Sequence, residues 1–124
     1  MYLFRKNKNF NKDKDFEVEV AYWRKANEIR QWIVNKTGYN AEANCEYHKL
    51  TKENLIELLN DCEIILHNHD LSNEIMPTSS GFFFGSTEYD EYYFDDLEYT
   101  VETINQIIEE TNWDKEEIYY YEWW

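Results

Sequence analysis

Residues 16–37 read FEVEVAYWRKANEIRQWIVNKT, and the period of the apolar residues changes inside this stretch. Phe16–Ala21 alternates apolar and charged residues, the two-residue period of a half-buried strand. From Trp23 to Thr37 the period lengthens to that of a helix. Ala26, Ile29 and Ile33, with Tyr22 and Trp32 at the flanks, form one stripe, while Arg24, Lys25, Glu28 and Gln31 fall on the other side. Gly38 follows at the helix C-terminus, where a left-handed residue is favoured. A strand with one polar face leading into a helix points to α+β. Parallel sheets need strands that are apolar on both faces.

The rest of the chain fits the same class. Met1–Lys6 reads as a strand, residues 7–15 as a polar loop and Cys45–Leu50 as a short strand. Thr51 is a good N-cap for a helix over 51–68, whose stripe is Leu55, Leu58, Leu59, Cys62, Ile65 and Leu66. Residues 69–80 form a connector with the sole proline, and Gly81–Gly85 (GFFFG) suits a buried strand or a tightly packed loop. Ser86 or Thr87 caps a helix reaching about Thr111, with Tyr93, Leu97, Val101, Ile104 and Ile108 as its stripe. Glu88, Asp90 and Glu91 sit in its first turn, at the positive end of the macrodipole. Ile118–Trp124 reads as a final strand. The expected architecture is α+β: a single domain over residues 1–124, with a mostly antiparallel sheet of four to five short strands packed with three helices.

Composition narrows the function classes. The chain has 124 residues, 43% apolar and 31% charged, with 5 Trp, 11 Tyr and 7 Phe. Such a chain supports one core and is too rich in aromatics to be disordered. No apolar run approaches the ~20 residues that span a bilayer, and the opening lacks the apolar segment of a signal peptide. Two cysteines make no disulfide framework, which suits a reducing cytoplasm. The net charge is −14 and unevenly spread: residues 1–52 hold 11 Lys/Arg against 7 Asp/Glu, and residues 53–124 hold Lys115 against 19 acids. The acidic half repels nucleic acid and anionic membrane and attracts basic partners. As a bland alternative, the same charge keeps an aromatic-rich chain dissolved.

Tyr22–Asn27 (YWRKAN), followed by Ile29 and Trp32, resembles a segment of a widespread group of small bacteriophage and prophage proteins. Met76–Leu97 (MPTSSGFFFGSTEYDEYYFDDL) resembles a second segment of that group, and Met1–Leu3 (MYL) is similar to the end of its usual opening. The resemblance covers residues 1–3 and 16–112. It implies a viral origin and supplies no activity, because the group has no assigned function. Members often carry a longer insert before the YWRKAN segment, so a site built from that insert does not transfer.

The chemistry-bearing residues divide into five groups. Cys45, His48, Cys62, His67 and His69 are potential metal ligands, but they lack the spacing of a zinc site, and Cys62 falls on an apolar stripe. No metal or cofactor is expected. Asp90, Glu91, Asp95 and Asp96 offer carboxylate pairs for acid–base work or Mg²⁺. Nine acids and no base between Ser86 and Glu110 read more simply as a solvated acidic face, and the chain is expected not to be an enzyme. Ser79-Ser80-Gly81 and Gly85-Ser86-Thr87 are small-residue turns, the second at a helix start, where free N–H groups favour anions. Without a phosphate-binding glycine motif, capping is their simpler role. Arg24 and Lys25 beside Tyr22 and Trp23 offer a clamp for phosphates and a stacked base, or else pair with internal acids. The N-terminal cluster of Arg5, Lys6, Lys8, Lys12 and Lys14, interleaved with Phe4 and Phe10, is a weak nucleic-acid signal in an acidic chain.

The leading expectation is a phage-encoded, non-enzymatic accessory protein in the host cytoplasm. It would bind a basic surface of a host defence or nucleic-acid-processing protein, with DNA mimicry as one form of that binding. The expected contact residues are Glu88, Tyr89, Asp90, Glu91, Tyr92, Asp95, Asp96 and Glu98. The alternative is a protein that sequesters a nucleotide or nucleotide-derived defence signal. Its pocket would be built from Tyr22, Trp23, Arg24, Lys25, Asn27, Ser79, Ser80, Gly85, Ser86 and Thr87.

Overall fold

The computed structural model describes residues 1–11, 13–39, 45–79 and 86–123. Strands β1 (Tyr2–Asn7), β2 (Val18–Tyr22), β3 (Tyr47–Leu50) and β4 (Glu116–Tyr121) form a sheet in the order β2-β1-β4-β3, with every neighbouring pair antiparallel. The helices are α1 (Asn27–Thr37), α2 (Lys52–His67), the four-residue α3 (Ser72–Ile75) and α4 (Glu91–Glu110), with a 3-10 turn at His69–Leu71. This is an α+β domain, as the change of period predicts. Gly81–Gly85, the candidate fifth strand, lies outside the described residues.

One face of the sheet carries the core. Leu3, Ala21, Leu50, Ile118 and Tyr120 point inward and are buried with Ile29 and Ile33 of α1, Leu55, Leu58 and Ile65 of α2, and Leu97 and Ile104 of α4. Strand side chains alternate between faces, so Tyr2, Phe4, Tyr22, Tyr47, Tyr119 and Tyr121 point the other way. The pairing of β1 with β2 shifts between Leu3↔Ala21 and Phe4↔Glu19, which leaves Val20 as an extra residue. This bulge reverses the phase of β2. Ala21 turns inward, while Val18, opposite Arg5 on the core side, is 47% exposed near the start of the strand, and Phe16 ahead of the strand is 88% exposed.

The helix ends follow local chemistry with two corrections. Thr51 Oγ1 accepts from Asn54 N at 3.0 Å while Asn54 Oδ1 accepts from Thr51 N, a complete capping box. Gly38 closes α1 at φ 72°, donating to Val34 O. The first correction concerns Trp23–Ala26, expected to be helical. Trp23 N donates to Met1 O at 2.9 Å, and its indole N–H donates to Thr100 Oγ1 on α4 at 2.9 Å. Anchoring this ring makes residues 23–26 a corner, and α1 starts at Asn27. The second concerns α4, which begins at Glu91 and not at 86–88. Asp90, not Ser86 or Thr87, is its cap, accepting from the N–H groups of Tyr92 and Tyr93. A carboxylate is the better acceptor at the positive helix end. Ser86 Oγ accepts locally from Glu88 N, so Glu88 lies ahead of the helix. The buried stripe of α4 is Tyr93, Leu97, Thr100, Ile104 and Ile107, with Val101 and Ile108 at its margin.

Candidate functional site

Three surfaces carry chemistry: the outer face of α4, the corner before α1, and the open face of the sheet.

On α4, Glu91, Asp95, Glu98 and Glu102 are exposed at steps of four, three and four residues. At about 1.5 Å rise per residue they form a row roughly 16 Å long on one side of the helix. Among the described residues, none of the acids from Glu88 to Glu110 has an ion-pair partner; the five ion pairs involve Glu17, Glu57, Glu116, Glu117 and Glu122. Tyr92 is 71% exposed beside the row. Glu88 and Tyr89 are also exposed, but the Tyr89 hydroxyl donates to Asn73 Oδ1 and accepts from Thr78 N, both at 3.2 Å. It fastens the connector to α4.

Two acids expected on that face do other work. Asp90 is the half-buried helix cap, and Asp96 turns toward Glu28. Glu28 was expected on the solvent side of its helix, yet it is only 3% exposed. Starting α1 at Asn27 places Glu28 in the first turn, against α4. One oxygen, Glu28 Oε1, has no N–H or neutral O–H donor. Asp96 lies within hydrogen-bonding reach of the carboxyl, so a proton on one acid can bridge the two. Burial first, and then the Asp96 and Asp90 charges, push Glu28 up to about 8. Burial likewise raises Asp96. At neutral pH Glu28 keeps its proton.

The corner before α1 does bring the two expected ligand segments together, through Asn27. Its buried amide donates to Ser86 O and accepts from Ser79 N, each at 3.0 Å. Thr78 Oγ1 adds a bond to Thr87 O at 2.8 Å. The remaining residues of this set behave differently from expectation. Trp23 is 2% exposed and offers no face for stacking. Tyr22 is exposed on the outer sheet face, its N–H donating to the Tyr99 hydroxyl. Arg24 and Lys25 both lie in the corner and are both exposed. Ser80 and Gly85 lie outside the described residues.

The inward-facing arginine is Arg30. Its Nε and Nη2 donate to the two oxygens of Glu122 at 2.6 and 3.1 Å, and the hydroxyls of Tyr39 and Tyr120 donate to the same carboxylate. This buried cluster pins α1 to the end of β4.

The open sheet face was not singled out from the sequence. Tyr22, Tyr2, Tyr121 and Tyr47 stand in register across the four strands. The Tyr47 and Tyr121 rings are 4.7 Å apart, and Tyr2 lies 5.2 Å from Tyr22 and 5.6 Å from Phe4. Lys6 Nζ lies 3.5 Å from the Tyr47 ring centre, 5.2 Å from those of Phe10 and Tyr119, and 3.3 Å from Glu17 Oε2. The signal was available in the aromatic run IYYYEWW, in which rings occupy both parities of a strand.

The potential metal ligands are held apart. Among the described residues, no group of three His, Cys, Asp or Glu side chains could hold a metal. Cys62 is buried in the core, Cys45 is exposed, His48 stacks on Tyr39, and His69 stacks on Phe94. No helix among the described residues is long and apolar enough to cross a membrane. Comparison with family models, with curated proteins and with solved structures found no match.

Proposed function

We propose that this chain is a non-enzymatic binding protein that docks on a basic surface of another protein. The observation that carries this reading is the row Glu91, Asp95, Glu98 and Glu102, four exposed carboxylates without cationic partners. Such charges self-repel within the free molecule, and a partner that supplies cations relieves that repulsion. The exposed Tyr92 ring offers an anchor that a purely solubilising surface does not need.

Likeness to small phage and prophage proteins makes the partner a host protein and the site of action the host cytoplasm. Mimicry of duplex DNA is the less favoured form. The row gives one charge per about 5 Å of helix, against about one per 1.7 Å in the duplex. Nucleotide sequestration loses one of its two stacking residues to the core, Trp23, and the other, Tyr22, stands on the outer sheet face.

The test compares the tagged wild-type chain with a Glu91→Gln, Asp95→Asn, Glu98→Gln, Glu102→Gln variant. Asp90 and Asp96 are left alone because they cap the helix and hold Glu28. Native mass spectrometry of both proteins, recovered from bacterial lysate at low and physiological salt, should show a stoichiometric complex with a basic protein. That complex should weaken in salt and vanish in the variant. A bound nucleotide would favour sequestration. A complex indifferent to both salt and the variant, or none at all, refutes the docking reading.

A further inference from the structure

The sheet face contains a cation seat already in use. Lys6 sits on Tyr47, Phe10 and Tyr119, and its ammonium pairs with Glu17, whose carboxylate also accepts the Tyr47 hydroxyl at 3.0 Å. Aromatic faces are electrostatically negative, and a carboxylate at their edge completes a site selective for cations. Beside Lys6 the same face continues as an open groove of about 380 Å³, walled by Tyr2, Phe4, Tyr47, Tyr121 and Trp123, with Glu17 at its rim. Among the described residues, no cationic side chain lines this groove.

We propose that the groove receives an arginine side chain from an exposed segment of the basic partner, a contact that rests on the docking function above. Three observations select this occupant. A guanidinium is flat and weakly hydrated, so it stacks on rings where a compact ammonium does not. Its N–H groups can share the Glu17 carboxylate with Lys6 and the Tyr47 hydroxyl, and the other tyrosine hydroxyls can accept its remaining N–H groups. A nucleobase would find rings of the right kind but nothing for its phosphate. Lys6 is held by Glu17 and Lys49 by Glu117, the latter pair at 3.2 Å, so the nearby cations are already neutralised.

The experiment is an aromatic-region NMR titration of the whole chain with three probes: acetyl-Gly-Arg-Gly-Arg-Gly-amide, its citrulline analogue, and a twelve-residue oligodeoxythymidine. The arginine peptide should give saturable shifts at Tyr2, Phe4 and Tyr121. The citrulline peptide, equal in shape but uncharged, should bind at least about fivefold more weakly, and Glu17→Gln should weaken the arginine peptide by a similar factor. Tyr121→Ser, on the outer face and away from the core, should abolish the shifts while leaving the core resonances in place. Equal binding of both peptides, shifts caused only by the oligonucleotide, or no saturable shift overturns the proposal. The carboxamide variant of α4 separates the two readings. Groove shifts that persist in it while the partner complex proves insensitive to α4 show the docking reading alone to be wrong. A salt-sensitive complex with an inert groove shows the reverse.

Discussion

Replacing Glu28 by glutamine should stabilise the protein, increasingly so as the pH rises. In the unfolded chain this acid titrates near 4.5, and in the folded protein burial pushes it up to about 8. Between those values the folded state keeps a proton that the unfolded state has released. Stability contributed by that proton is complete below pH 4.5 and is lost as the pH climbs toward 8. At about 1.4 kcal/mol per pH unit, the wild type should lose about 3 kcal/mol from this group between pH 5 and 7.5. Glutamine has the shape of the protonated acid, and its amide can donate to Asp96, so the variant escapes the loss. Urea unfolding of both proteins at several pH values reads the difference directly. Groups such as His48, which burial pushes down, titrate in both proteins and cancel. A variant less stable than wild type at pH 7.5, or a pH-independent difference, would mean that Glu28 is ionised and held by a cation, and the shared-proton account would fall.

Other substitutions check the remaining assignments. Asp90→Ala should cost about 1 kcal/mol by thermal or urea unfolding, whereas Ser86→Ala should cost far less, reversing the order expected had Ser86 been the helix cap. Arg30→Ala leaves Glu122 buried with only two tyrosine hydroxyls among its described partners and should cost about 3–5 kcal/mol, whereas Arg24→Ala should be nearly silent. Equal effects of the two arginine changes would contradict the burial described for them. The Glu91→Gln, Asp95→Asn, Glu98→Gln, Glu102→Gln variant should unfold close to the wild-type urea midpoint or above it, since the relief of mutual repulsion offsets the few tenths of a kcal/mol that Glu91 contributes at the positive helix end. A clear drop in midpoint would show that those carboxylates have internal partners.

Much of the fold was legible because period and caps are local signals. Thr51 with Asn54, Gly38, the α2 stripe and the change of period at residues 16–37 each depend on neighbours within a few positions. The errors arise where distant residues decide. Trp23 is drawn into α4 by Thr100, 77 residues away, and that contact stops the helix from starting early. The Val20 bulge exists only against β1, so alternation alone assigns Ala21 to the polar face, whereas it is buried in the core. Glu28 looks like a solvent residue until Asp96 is placed against it. The acidity of α4 was readable from charge alone, but not which acids share its outer row: the sequence reading includes Asp90 and Asp96 and leaves out Glu102. The open aromatic face was signalled only by IYYYEWW, whose rings occupy both parities, while the cross-strand alignment of Tyr22, Tyr2, Tyr121 and Tyr47 is fixed by strand pairing.

The Val20 bulge bears on how other chains can approach. A strand at the border of a sheet exposes a row of unused N–H and C=O groups, a template on which a foreign strand can extend the sheet. Among the described strands the borders are β2 and β3. The first is kinked by the bulge and carries Glu19, and the second is only four residues long and carries Lys49. A bent border and a short one offer poor templates, which discourages growth into fibrils through either side. The same geometry works against recognition by strand addition. A protein of this build meets its partners with side chains, across the broad sides of its layers.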